Sequence, residues 1–186
     1  LFLDEAGQCI EPLAWCIFPM AEKLVLAGDH WQLPPTVLSQ QAAALGFNNS
    51  ILEVAIHHTN AVYLLNTQYR MRESIAGFSS RYFYNELLKT AEHLQNSGTH
   101  ITFIDTAGSG YNEKQGPDGI SLQNEGELQI VRQYIEQEGW NAAGTAFISP
   151  YSGQVAAARE VLPSTMRIST IDSFQGQEKE RIIVSL

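Results

Sequence analysis

Cysteine and long apolar runs are both scarce in this sequence of 186 residues. Its two cysteines, Cys9 and Cys16, have no further cysteine partner with which to complete a zinc site of the usual spacing. We therefore expect both thiols to be reduced, on or near a core-facing helix of an intracellular protein. The apolar stretches are far too short to span a bilayer, so the sequence predicts no membrane-spanning helix.

Basic residues are also few, because 11 Lys and Arg stand against 20 Asp and Glu, giving a formal net charge of −9. Affinity for phosphates normally rests on Lys and Arg, so this balance argues against nucleic acid as a partner. It also disfavours binding to an anionic membrane surface. Net charge says little about the field inside a cleft, however, so the acidity does not exclude a nucleic-acid partner.

Two adjacent carboxylates follow a short apolar run at the start of the sequence. Residues 1–3 predict a buried parallel strand, which would deliver Asp4 and Glu5 to the carboxyl edge of a sheet, where ligands of open α/β folds bind. In a P-loop NTPase the first acid holds Mg²⁺ and the second can polarise the water that attacks the terminal phosphate. The alternative is a strand that runs into an acidic turn.

A second β-run, residues 23–27, enters a loop that Gly28 allows to bend and that Pro34 and Pro35 stiffen. This loop would present Asp29 and Gln32 from the end of a second sheet strand. An amide such as that of Gln32 could contact the terminal phosphate or the attacking water. The alternative is an ordinary strand-to-helix turn with a capping aspartate.

Five segments carry a resemblance to a known family. They are Asp-Glu-Ala-Gly-Gln at 4–8, Gly-Asp-His-Trp-Gln-Leu-Pro-Pro at 28–35, Gln-Tyr-Arg-Met at 68–71, Ile-Ser-Pro-Tyr-Ser-Gly-Gln at 148–154, and residues 170–178. In this order they resemble the motifs of the Upf-like and senataxin-like branch of superfamily 1 nucleic-acid helicases. The resemblance implies two RecA-like domains with parallel sheets that clamp ATP between them, an α/β fold.

The resemblance implies roles only at matching positions. Asp4 would hold Mg²⁺, Glu5 would activate water, Gln32 would sense the phosphate and Arg70 would be the arginine finger, because a guanidinium stays charged and forks onto phosphate oxygens. Tyr69 would stack on adenine. Gly176 would let the backbone approach the nucleotide, and Gln175 and Glu178 would contact phosphate, ribose or the moving domain interface. Gln8 and Asp29 are the remaining nucleotide-binding candidates. Packing against the next helix is the alternative for Tyr69, and a surface salt bridge is the alternative for Arg70.

Single-stranded RNA or DNA is the partner that the resemblance implies, held by loops instead of a basic helix. Aromatic rings stack on bases with little sequence preference, while hydroxyls and backbone amides hold phosphates. The candidates are Pro35, Thr36, Val37, Pro150, Tyr151, Ser152 and Thr170. Each could equally be a loop residue without a ligand. The resemblance also implies travel from the five-prime toward the three-prime end.

One family element is missing, since no Gly-x-x-x-x-Gly-Lys-Ser/Thr phosphate loop occurs in the sequence. By the resemblance this loop belongs upstream of Leu1, and a sixth motif should follow Leu186. We therefore expect a piece of a longer protein, in which residues 1–60 end a first RecA-like domain and residues 61–186 form a second, truncated before the sixth motif. Its partners would include the rest of its own chain, and alone it should hydrolyse ATP negligibly.

Alternating apolar runs and helical spacing predict the elements of a parallel α/β protein. We expect Ile75, Phe78, Tyr82 and Phe83 to be core residues of one helix, and residues 106–123 to be a long irregular stretch. The predicted strands are 1–4, 23–27, 62–66, 101–105, 145–149, 167–171 and 181–186, and the predicted helices are near 12–18, in pieces over 37–58 broken around Gly46, and at 73–84, 125–138 and 152–162.

Two rival functions remain. A nucleic-acid-independent P-loop NTPase would share Asp4 and Glu5 but have little use for Gln-Tyr-Arg at 68–70. A degenerate helicase-like domain kept as a nucleic-acid-binding module would be expected to lack intact catalytic positions. Strand-stimulated ATP turnover separates both rivals from a helicase.

Overall fold

The computed structural model describes residues 1–95 and 101–186. The chain forms two compact units, Leu1–Ile101 and Thr102–Leu186. Both contain helices and parallel strands, which confirms the predicted α/β class. Within the described ranges no helix is long and apolar enough to cross a membrane.

The first unit contains two short parallel strand pairs. Strand β1 (Phe2–Leu3) pairs with β2 (Val25–Leu26), and β3 (Thr67–Gln68) pairs with β4 (Lys89–Thr90). Its helices are α1 (Glu11–Trp15), α2 (Gln40–Ala44), α3 (Ile51–His58) and α4 (Glu73–Phe83), with short 3₁₀ turns at Ala6–Gln8, Phe18–Met20 and Glu92–Leu94.

A small core around α3 fixes β1 and β2. Ala6, Ala14, Ile51 and Leu52 are buried together, and Leu3 and Leu26 of the two strands are among the side chains that pack on them. Helix α3 starts sharply because Ser50 and Glu53 form a reciprocal capping box. Cys9 lies beside this core and Cys16 is exposed, both as free thiols.

The second unit is built on three parallel strands. The central strand β7 (Thr145–Ser149) pairs with β8 (Arg167–Thr170) on one side and with β9 (Arg181–Val184) on the other. Helices α5 (Glu125–Gln137) and α6 (Ser152–Val161) contribute Leu128, Ile135, Val155 and Ala158 to a core with Phe147 of β7 and Ile168 of β8. The unit also contains helix α7 (Ile171–Phe174) and a 3₁₀ turn at Ala142–Gly144.

An antiparallel strand pair precedes α5, where sequence predicted only an irregular stretch. Strand β5 (Lys114–Gln115) pairs with β6 (Leu122–Gln123). Between them Asp118 Oδ1 accepts from the backbone N–H groups of Ile120 at 3.0 Å and Ser121 at 2.9 Å. These bonds stabilise the carboxylate and lower the pKa of Asp118. The prediction for 106–123 is therefore wrong at this pair.

Two predicted strands are absent from the described residues. Residues 62–66 and 101–105 form neither helix nor strand, and their apolar side chains, such as Tyr63 and Phe103, are largely exposed. A β-run becomes a strand only when a neighbouring strand takes its backbone hydrogen bonds, and no described strand pairs with these segments.

The predicted core face of α4 is also wrong. The helix forms as expected, but Ala76 is its buried residue, whereas Ile75, Phe78 and Tyr82 are exposed. Phe83 is half-buried. Helical spacing correctly placed these side chains near one another, because the rings of Phe78, Tyr82 and Phe83 contact each other. It could not show whether another element covers them. In α5, by contrast, residues at helical spacing do face the core, where Val131 packs against the buried Leu128 and Ile135.

Candidate functional site

The carboxyl ends of β1 and β2 lie at one edge because the strands are parallel. Phe2 pairs with Val25 and Leu3 with Leu26, so the segment beginning at Asp4 and the segment beginning at Ala27 leave the pair side by side. This is the arrangement that the two apolar runs predicted. It brings the Asp-Glu segment and the Gly-Asp segment together at one edge.

The backbones of the two segments are hydrogen-bonded and pack closely against each other. The Ala6 N–H donates to the Ala27 carbonyl oxygen at 2.8 Å. A side chain at Gly7 would place its Cβ 2.7 Å from the Asp29 carbonyl oxygen, and a Cβ at Gly28 would lie 2.9 Å from the backbone nitrogens of Ala6 and Gly7. Glycine at both positions is therefore what allows the segments to approach this closely.

The two carboxylates of the first segment face solvent. Asp4 Oδ1 accepts from the Glu5 backbone N–H at 2.9 Å, and Glu5 Oε2 accepts from Gln8 Nε2 at 3.3 Å. Glu5 has φ 51° and ψ 38°, the left-handed conformation that a residue with a side chain rarely adopts. Such strain is frequent at functional sites, where the surrounding structure enforces it.

The Asp29 carboxylate accepts hydrogen bonds from three groups at this edge. Its Oδ1 accepts from the Trp31 backbone N–H at 3.1 Å, and its Oδ2 accepts from Gln32 Nε2 at 2.9 Å. The Tyr84 hydroxyl, from the end of α4, donates to the same Oδ2. Burial, this hydrogen bond and the negative charge of Asp29 raise the pKa of Tyr84 far above its ordinary value, so the phenol stays a neutral donor.

Gln68 holds the turn that presents Tyr69 and Arg70. Its Oε1 accepts from the backbone N–H groups of Arg70 at 3.0 Å and Met71 at 2.8 Å. Its Nε2 donates to the Met71 carbonyl oxygen at 2.6 Å and to Thr90 Oγ1 at 2.9 Å. Tyr69 is 71% exposed and Arg70 is exposed, so the glutamine shapes the turn and leaves its two neighbours on the surface.

The predicted nucleic-acid contacts Pro35, Thr36 and Val37 lie further along the loop that follows β2 and carries Asp29. Pro35 is buried, Thr36 is exposed and Val37 is half-buried. Thr36 is therefore the most accessible of the three candidates for nucleic-acid contact in this segment.

In the second unit the remaining candidates lie at the carboxyl edge of the three-stranded sheet. Ser149 of β7 pairs with Thr170 of β8, so the exposed residues Pro150, Tyr151 and Ser152 begin beside Thr170. The Thr170 hydroxyl caps α7 by accepting from the Ser173 N–H at 3.4 Å. Glu178 lies on the exposed loop that follows α7.

Two buried polar atoms near this edge have no hydrogen-bond partner among the described residues. They are Ser169 Oγ and Gln175 Nε2. Gly176 follows with φ +76°, a left-handed conformation that glycine adopts without strain. Buried polar groups are normally hydrogen-bonded, so the unpaired amide of Gln175 is consistent with a ligand contact at this position.

Gln154, the last residue of the motif at 148–154, has its side chain inside the unit. Its Oε1 accepts from the Asn124 N–H at 2.7 Å, and its Nε2 donates to Ser185 Oγ at 2.9 Å. The Ser185 hydroxyl donates in turn to Glu127 Oε2 at 2.8 Å. Gln154 thus differs from its neighbours Tyr151 and Ser152, the nucleic-acid candidates of the same motif, because its side chain joins β6, α5 and β9.

The first unit could hold a magnesium ion only if a bound ligand or water supplied part of the coordination. The described residues contain no group of three His, Cys, Asp or Glu side chains that could hold a metal. Mg²⁺, however, is often held by one or two carboxylates together with substrate phosphates and water. The exposed carboxylate of Asp4 satisfies that requirement.

Comparison with known proteins places this site in a family. A family model described as AAA domain matches residues 47–186, and a second model with the same description matches residues 1–40. Parallel strands with candidate nucleotide ligands at their carboxyl edges, together with this match, define part of a RecA-like P-loop NTPase. The chain belongs to the AAA domain family, in the Upf-like and senataxin-like branch of superfamily 1 helicases.

Curated relatives agree with this assignment. The chain is 35% identical to the DNA-binding protein SMUBP-2 of Mesocricetus auratus over 205 residues, which cover 98% of this chain and 21% of that protein. It is 32% identical to the DNA polymerase alpha-associated DNA helicase A of Schizosaccharomyces pombe, and the alignment covers 100% of this chain and 32% of that protein. It is 29% identical to the helicase sen1 of the same yeast, and the alignment covers 100% of this chain and 12% of that protein. The chain thus spans between about an eighth and a third of the length of these relatives.

Proposed function

We propose that this chain is part of an intracellular, ATP-dependent helicase that couples ATP hydrolysis to movement along single-stranded RNA or DNA. The observation that carries the proposal is the shared edge of β1 and β2. There the segments of Asp4, Glu5 and Asp29 lie together, with Gln32 hydrogen-bonded to Asp29. The names of relatives that act as helicases support the same class.

Each candidate residue at this edge would have a different role in binding or hydrolysing the nucleotide. Asp4 would hold Mg²⁺, which would neutralise phosphate charge when bound. Glu5 would orient and polarise the attacking water, and Gln32 would contact the terminal phosphate. Gln8 and Asp29 would support these two side chains, since each is their hydrogen-bond partner in the structure.

The exposed pair Tyr69 and Arg70 would complete the nucleotide site. Tyr69 offers an accessible aromatic face for adenine, and Arg70 a permanent charge for the transition state. Gln175 and Glu178 would contact phosphate, ribose or the interface of the moving domain, and Gly176 would let the backbone approach the nucleotide. The unpaired buried amide of Gln175 supports its part in this assignment.

The nucleic-acid surface would use exposed loop residues. Pro150, Tyr151, Ser152 and Thr170 share one sheet edge, where a ring and two hydroxyls could take a base and phosphates. From the loop after β2, Pro35, Thr36 and Val37 would add contacts. From the order of the motifs, we propose the domain division at residue 60. Travel would run from the five-prime toward the three-prime end.

ATP turnover by the full-length protein tests the proposal. We expect turnover that single-stranded RNA or DNA stimulates and that Glu5→Gln or Arg70→Ala abolishes, while both variants still bind the strand. The same assay on residues 1–186 alone should show negligible turnover, because the sequence lacks a phosphate loop. A duplex with a single overhang of either polarity would then report the direction of travel.

The outcomes distinguish the rivals. Turnover that no strand stimulates would identify a nucleic-acid-independent NTPase. Tight strand binding without any turnover would identify a binding module with a helicase fold. Loss of strand binding in Tyr151→Ala but not in Tyr151→Phe would support stacking at the second edge, since base stacking needs the ring and not the hydroxyl.

A further inference from the structure

Asp29 Oδ2 is shared by donors from two distant segments of the first unit. One donor is Gln32 Nε2, at 2.9 Å, three residues along the same loop. The other is the hydroxyl of Tyr84, which lies 55 positions along the chain. A carboxylate oxygen can accept two hydrogen bonds, so both donors bind at once and each limits the rotation of the carboxylate.

Helix α4 connects Tyr84 to the turn that presents Arg70. Helix α4 starts at Glu73, shortly after that turn, and ends at Phe83, immediately before Tyr84. Eleven helical residues form a stiff rod of about 17 Å. A displacement of the Arg70 turn along this rod would therefore reach the Tyr84 hydroxyl.

A second contact joins the same end of α4 to the same loop. The rings of Phe83 and Trp31 lie 5.8 Å apart, centroid to centroid, at an interplanar angle of 44°. Trp31 stands between Asp29 and Gln32 in sequence, and its N–H donates to Asp29 Oδ1. The helix end thus contacts the loop through a hydrogen bond to Asp29 and through an aromatic pair.

We propose that Tyr84 is a positioning residue that fixes the Gln32 amide through Asp29, and so couples the proposed phosphate sensor to the helix that follows Arg70. This inference rests on the proposed function. Gln32 is exposed and its side chain has several freely rotating bonds, so it keeps one orientation only while its partner is fixed. Without the Tyr84 hydroxyl, the Asp29 carboxylate would keep the Trp31 N–H and the Gln32 amide as its partners but lose its link to α4, so the amide would hold its orientation less firmly.

The test compares two tyrosines of the same helix end in the full-length protein. Tyr84→Phe removes only the hydroxyl, and Tyr82→Phe is the matched control, because the Tyr82 ring stacks on Phe78 and its hydroxyl has no hydrogen-bond partner among the described residues. We expect Tyr84→Phe to lower kcat for strand-stimulated ATP turnover about five-fold with KM for ATP nearly unchanged. Tyr82→Phe should match the wild type.

A double-variant cycle tests whether Tyr84 acts through Gln32. In a Gln32→Ala background, Tyr84→Phe should produce no further loss of kcat, since the side chain that it positions is already gone. An unchanged kcat in Tyr84→Phe, independent losses in the double variant, or an equal loss in Tyr82→Phe would each overturn the inference.

Glu5→Gln separates failure of this inference from failure of the proposed function. Turnover that Glu5→Gln abolishes but Tyr84→Phe leaves intact would overturn the positioning role alone. If the wild-type protein shows no turnover that depends on Glu5, the proposed function and the inference that rests on it both fail.

Discussion

Gln154 Nε2 donates a hydrogen bond of 2.9 Å to Ser185 Oγ, which joins the first turn of α6 to the residue that follows β9. Both side chains are buried, and the glutamine also contacts the backbone of Asn124 ahead of α5. One side chain therefore holds together three elements of the second unit. It lies in the helix that directly follows the exposed Pro150 and Tyr151, so it also sets where those residues stand.

Replacing Gln154 by alanine should destabilise the second unit by about 3 kcal/mol. The truncation would leave the Asn124 N–H and the Ser185 hydroxyl short of partners in a buried place and create a small cavity. Urea denaturation followed by circular dichroism would measure the loss. Gln133→Ala, at an exposed position of α5, is the control and should change stability by less than about 0.5 kcal/mol.

Alanine at two glycines should have opposite effects on stability. Gly7→Ala would force a Cβ to 2.7 Å from the Asp29 carbonyl oxygen and should cost about 2 kcal/mol as the two segments separate. Gly77→Ala lies inside α4 with nothing within 4 Å of the new Cβ, and it should stabilise the helix by up to about 1 kcal/mol. Thermal melting of both variants measures the contrast, and equal destabilisation would contradict the close approach described at Gly7.

High pH should weaken the first unit through Tyr84. The folded state raises the pKa of this phenol, so the stabilisation is complete below the unfolded pKa of about 10 and is lost as pH rises toward the folded value. Denaturation midpoints measured from pH 8 to pH 12 should therefore fall more steeply above about pH 10 in the wild type than in Tyr84→Phe. Tyr82→Phe should keep the wild-type profile, and identical profiles for all three proteins would argue against the Tyr84–Asp29 bond.

Glycine at position 5 should be tolerated better by the fold than alanine. Glu5 has positive φ, a conformation that costs a residue with a Cβ about 1 kcal/mol or more and glycine almost nothing. We expect Glu5→Gly to be about 1 kcal/mol more stable than Glu5→Ala in chemical denaturation, while both lack the carboxylate. Equal stabilities would show that the left-handed conformation does not persist in solution.

Sequence predicted α5, α6, β7, β8 and β9 well because their apolar patterns match the partners that the fold provides. Residues 145–149 are a fully buried strand between two others, and the observed bounds are the predicted ones. The run at 62–65 is more apolar than residues 145–149, yet no described strand pairs with it and it forms none. A strand forms only when a partner strand pairs with it, so composition alone could not show that residues 145–149 form a strand and residues 62–65 do not.

Sequence also predicted which residues gather at the edge of β1 and β2, since the carboxyl ends of neighbouring parallel strands coincide. It did not predict Tyr84 as a partner of Asp29, because no local pattern links residues so far apart in the chain. Nor could motif spacing show that Gln154 points inward while Tyr151 stays exposed. Side-chain direction depends on packing that forms only in the folded unit.

The order of strands in the second unit has a consequence for synthesis. The central strand β7 takes both of its neighbours, β8 and β9, from residues that the ribosome delivers later. Because parallel pairing brings residues together only across long loops, this sheet has high contact order and closes late. Until Arg181–Val184 has left the ribosome, the edge of β7 that β9 covers lacks that partner, and unpaired strand edges make partly folded chains prone to aggregation.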